Sequence, residues 1–95
     1  MAVVKVEILK IIDMSFPIFI EFEFVDINGT SHHFIDKVPI VSGDYDFVPP
    51  CEGHMRCTII KETENTFIID TVLPDDIEST NNEHTFEVYK DQVML

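Results

Sequence analysis

Ile18, Ile20, Phe22 and Phe24 fall on one side of a strict two-residue period, with Phe19, Glu21, Glu23 and Val25 on the other. Only an extended strand places alternate residues on one face, so this segment is a half-buried strand with an acidic outer side. The same reading extends along the chain. Val4, Val6 and Ile8 alternate with Lys5, Glu7 and Leu9 in a strand ending near Asp13, and Met14 to Pro17 turns the chain. Asn28-Gly29 supplies the positive φ angles of a tight hairpin, predicting a return strand from Thr30 to Asp36. Pro39 lacks an N–H and makes Lys37 to Val41 an edge strand or a bend.

An irregular loop runs from Ser42 to Gly53. Met55, Cys57 and Ile59 then begin a strand that turns at Glu62 to Asn65 and returns from Thr66 to Leu73. A polar stretch from Glu78 to Asn82 precedes a last strand near His84 to Tyr89, and Asp91 to Leu95 forms a loose or edge-docked tail. No window carries an apolar stripe of helical period, and Ala, the strongest helix former, occurs once. The chain is therefore expected to be one all-β domain spanning residues 1–95, with six to seven mostly antiparallel strands. They form a small barrel or a compact sandwich, the two closures that hide strand edges.

Charge narrows the function classes. Asp and Glu number 18 against 6 Lys and Arg, a formal net charge of −12 on 95 residues. That field repels phosphate backbones and anionic membranes, so neither nucleic acid nor membrane is an expected partner. It accelerates encounter with a basic protein surface. No apolar run reaches the roughly 20 residues of a membrane helix, and the two cysteines make no disulfide framework; a reducing cytoplasm is the expected compartment.

No catalytic or metal signature stands out. Cys51 and His54 have a ligand-like spacing, but no paired C-x-x-C knuckle accompanies them, and Cys57 is in phase with Met55 and Ile59, as a core thiol would be. His32 and His33 are adjacent on a strand and must point to opposite faces, one of them outward. Glu21 and Glu23 share a face, with Glu7 across from them if the first two strands pair. Neither Asp44, Asp46 and Glu52 nor Asp75, Asp76 and Glu78 match a calcium-binding loop. No cofactor, metal or catalytic residue is assigned. The more informative combination is Tyr45 and Phe47 between Asp44 and Asp46, because aromatic anchors supply affinity while charges at the rim steer encounter.

The strings Asp36-Lys37-Val38-Pro39-Ile40-Val41, Gly53 with Arg56-Cys57, Asp70-Thr71, Ile77-Glu78-Ser79-Thr80 and Phe86-Glu87-Val88 resemble those of small uncharacterised bacterial all-β proteins. Some small acidic bacterial proteins of this kind are immunity proteins that neutralise toxins. The resemblance implies a bacterial cytoplasmic protein and brings no catalytic residues with it. The expected function is thus a non-enzymatic acidic domain that binds protein, an inhibitor or immunity-type protein occluding a basic surface through Glu21, Glu23, Asp44, Tyr45, Asp46 and Phe47. The rival expectations are a homo-oligomer formed through an exposed edge at Val3 to Ile12 or Glu83 to Tyr89, and a small metal-binding or hydrolytic enzyme.

Overall fold

Period-two patterning becomes seven strands in the computed structural model, which describes every residue from Met1 to Leu95. They are β1 (Ala2–Asp13), β2 (Phe19–Val25), β3 (Ser31–Lys37), β4 (Cys51–Glu62), β5 (Thr66–Asp70), β6 (Thr85–Tyr89) and the short β7 (Val93–Met94). All pairings are antiparallel, in the order β3-β2-β1-β4-β5-β6, with β7 also on β1. The sheet curls into a half-barrel, which resolves the choice between barrel and sandwich.

Strand β1 organises the molecule. Its residues Ala2 to Ile8 pair with β4 along one edge, while the other edge carries β7 at Val3 and Val4 and β2 from Glu7 to Asp13. The expected exposed edge at Val3 to Ile12 is therefore corrected over Val3 to Ile8, whereas β6, within the other expected edge at Glu83 to Tyr89, ends the strand order. An apolar alternation shows which face a strand buries and is silent on which strands flank it. Beyond Ile8, β1 keeps a strand partner on one side only.

Inward side chains follow the alternation. Val4, Val6 and Ile8, Ile20, Phe22 and Phe24, Phe34, Met55 and Cys57, Ile69, and Phe86 and Val88 are all buried in one core. Its aromatic centre stacks Phe22 on Phe34 at 5.3 Å between ring centroids and sets Phe86 edge-on to Phe24 at 5.0 Å. Each fully buried Phe removes enough apolar area to stabilise the fold by about 1.5–3 kcal/mol. Register shifts interrupt the pairing between Ile59 and Lys61 of β4 and, on β1, between Ile8 and Lys10 and between Ile11 and Asp13, while Ile60 faces outward in step with Arg56 and Thr58.

Local chemistry sets the strand ends. Between β2 and β3, Asp26 Oδ1 accepts from the Asn28 and Thr30 amides while Gly29 takes φ 80°, as the hairpin demands. Pro39 converts the end of β3 into a 3-10 turn over Val38–Ile40, the bend of the two expected alternatives. Strand β5 stops at Asp70, short of the expected Leu73, because the Asp70 carboxylate captures the Val72 amide at 2.8 Å. Strand β4 begins at Cys51, earlier than expected.

Loops close the open sides of the sheet. The Ile27 amide donates to the Glu87 carbonyl of β6 at 3.1 Å, and the Thr80 amide donates to the His33 carbonyl of β3 at 2.8 Å. After a 3-10 turn over Lys90–Gln92, the tail docks on β1 as β7, and Gln92 Nε2 donates to the Val25 carbonyl at 2.8 Å. No helix is long and apolar enough to cross a membrane.

Candidate functional site

The expected site residues separate into two sets. Glu21 and Glu23 lie on the outer face of β2, and Asp44, Tyr45, Asp46 and Phe47 occupy the segment between the Val38–Ile40 turn and β4. No hydrogen bond or ion pair joins them.

On the sheet face, register aligns like charges. Glu7 of β1 stands opposite Glu23 of β2 on one side and Glu52 of β4 on the other, and Glu23 stands opposite His33 of β3. Directly opposed carboxylates repel. Two histidines lie against this row: His33 Nε2 is 3.3 Å from Glu23, and His54 Nε2 is 2.9 Å from Glu52. Glu21 is held by His33 Nδ1 at 3.2 Å and Lys10 Nζ at 3.7 Å. An open groove of about 490 Å³ borders this face, with Lys5, Glu7, Glu23, Cys51, Glu52 and Gln92 in its lining. Of the expected site residues, Glu21 thus has a lysine and an imidazole beside it and Glu23 an imidazole.

The loop set is built differently. Ser42 Oγ donates to the Asp44 carbonyl at 2.7 Å and accepts from the Asp44 amide, and Asp44 Oδ1 accepts from the Asp46 amide. These side-chain bonds fold the segment on itself. Phe47 is half-buried against the core and anchors the loop, whereas Tyr45 is exposed. Across from Tyr45 stands Phe16 of the β1–β2 turn, with ring centroids 6.5 Å apart and Phe16 83% exposed. Phe16 escaped the sequence reading, yet a signal existed: an aromatic in a turn beside Pro17 has no strand face on which to be buried.

The remaining titratable groups serve the fold. His32, the inward member of the histidine pair, is buried between Phe24 and Phe86, and its Nε2 lies 2.8 Å from Asp26 Oδ2. Burial works to raise the Asp26 carboxyl. The His32 hydrogen bond, the Thr30 and Asn28 amides and the imidazole's charge outweigh it and hold the group below its ordinary value. Cys57 is fully buried, which pushes its thiol up to about 11. Cys51 and His54, three residues apart on β4, point to opposite faces and do not form a ligand pair. No group of three His, Cys, Asp or Glu side chains is arranged to hold a metal ion.

Comparison with protein-family models, curated proteins and solved structures found no match to this chain.

Proposed function

We propose that this protein is a non-enzymatic binding domain for a basic protein surface, acting as an inhibitor or immunity-type protein in the cytoplasm. The observation that carries the reading is an exposed aromatic, Tyr45, set between Asp44 and Asp46 on a loop pinned to the core by Phe47. Its setting is a chain of net charge −12 in which only Glu21, Glu62 and Asp75 pair with a Lys or Arg.

The physical course of binding follows from these features. Uncompensated carboxylates attract a basic partner over a distance of roughly one Debye length, about 8 Å at physiological ionic strength. Contact then buries the aromatic surface, which supplies most of the residence time. A loop already folded by its own hydrogen bonds loses little entropy on docking. A homo-oligomer receives less support, because two copies bring like charge together at the expected edges left to it, β6 and the Leu9 to Ile12 end of β1.

The test is capture of partners from the source lysate at low salt, followed by elution on a salt gradient. The expected result is a stoichiometric basic protein whose retention falls with salt and with charge reversal at Glu21, Glu23, Asp44 and Asp46. A complex indifferent to both would refute the reading.

A further inference from the structure

Five of the thirteen large exposed apolar side chains are Ile12, Met14 and Phe16, at the end of β1 and its following turn, and Tyr45 and Val48 in the long loop, and the Phe16–Tyr45 contact joins the two segments. Phe16 and Val48 are each 83% exposed. Residues 11–18 and 41–50 contain no Lys or Arg, but they hold Asp13, Asp44 and Asp46. Asp13 Oδ1 accepts only the Ser15 amide and Asp44 Oδ1 only the Asp46 amide, and none of the three carboxylates has a basic partner in the chain. Glu21 and Glu23 contrast with them: their side chains are 23% exposed and lie against His33.

We propose that the Phe16–Tyr45 pair, with Asp13, Asp44 and Asp46 beside it, is the contact site for an arginine-bearing apolar segment of the partner, and that the Glu21–Glu23 face contributes only long-range attraction. This rests on the binding function proposed above and deepens it by naming the site and the chemistry it recognises. Guanidinium stacks on aromatic faces and forms paired hydrogen bonds with carboxylates, so an Arg beside an apolar residue satisfies both halves of the patch. Charge selects this occupant over the others. A second copy, an anionic membrane or a nucleic-acid backbone would each bring negative charge to uncompensated carboxylates.

The experiment uses the whole chain and two synthetic peptides of equal charge, one alternating Arg with Leu and the other alternating Lys with Gly. Both are titrated at low salt while backbone amide shifts are followed by NMR. The Arg–Leu peptide is expected to bind about tenfold more tightly and to move the amides of residues 13–16 and 44–48. Phe16→Ala combined with Tyr45→Ala is expected to abolish that preference without lowering the melting temperature, since both rings are exposed. Glu21→Gln with Glu23→Gln should weaken both peptides alike, by about twofold. If the peptides bind equally, or the preference survives loss of the two rings, the site assignment is overturned while acid-driven binding stands. If neither peptide binds, the binding function itself fails and this inference with it.

Discussion

Removing Asp26 tests whether a half-buried carboxylate in contact with the buried His32 imidazole holds the β2–β3 hairpin to the core. Asp26 accepts from the Asn28 and Thr30 amides at 2.8 and 3.1 Å and from His32 Nε2 at 2.8 Å. A carboxylate only accepts, so Nε2 carries the proton in that bond. The two amide bonds lie at an exposed turn where water can replace them, and each contributes about 0.5 kcal/mol. The third is different: His32 is only 7% exposed, and losing its charged acceptor costs about 1.5–3 kcal/mol. Asp26→Ala should therefore destabilise by about 2.5–4 kcal/mol in urea unfolding. His32→Phe supplies the second corner of a double-mutant cycle, because a Phe ring fits the same place between Phe24 and Phe86 without a donor. The coupling energy should be about 1–2 kcal/mol. A depressed native carboxyl contributes stability that is fully present above its unfolded value, 3.8, and is lost as pH falls through the lower folded value. The stability gap between the parent and Asp26→Ala should accordingly narrow on acidification below 3.8. A coupling energy under about 0.5 kcal/mol, or a gap indifferent to acid, would refute the reasoning.

Three further outcomes are expected. Gly53→Ala would place a Cβ 2.9 Å from the Val41 carbonyl oxygen, which accepts the His54 amide, and 3.1 Å from Ile8 Cδ1; a loss of about 1–3 kcal/mol is expected. Faster amide exchange in residues 41–50 should accompany it, whereas Gly43→Ala, which meets open space, should change stability by less than about 0.5 kcal/mol. Cys57 should resist thiol reagents near neutral pH until the protein unfolds, while the half-buried Cys51 reacts first. Because the Cys57 thiol is raised from 9.0 to about 11 in the folded chain, stability should decline as pH climbs through that interval, by at most about 2–3 kcal/mol, and Cys57→Ala should remove that part of the decline.

Much of the local structure is legible in the residue order. Alternation at Val4 to Ile8 and at Ile18 to Val25 identifies strands and the face each buries, because side-chain direction along an extended chain depends on nothing distant. Asn28-Gly29 specifies a hairpin, Pro39 a bend, and the phase of Cys57 with Met55 a buried thiol, each through a constraint carried by one or two residues. The acidic balance is likewise a property of the chain itself. Which strands become neighbours is not. That β1 lies between β4 on one edge and β2 with β7 on the other follows from burying all the apolar faces in one curled sheet, a choice made among segments far apart in sequence. The row Glu52–Glu7–Glu23–His33 exists only through that register. The meeting of Phe16 with Tyr45 depends on two loops converging at one end of the sheet. Composition determined the sign of the field, and tertiary pairing decided where an aromatic surface stands beside uncompensated acid.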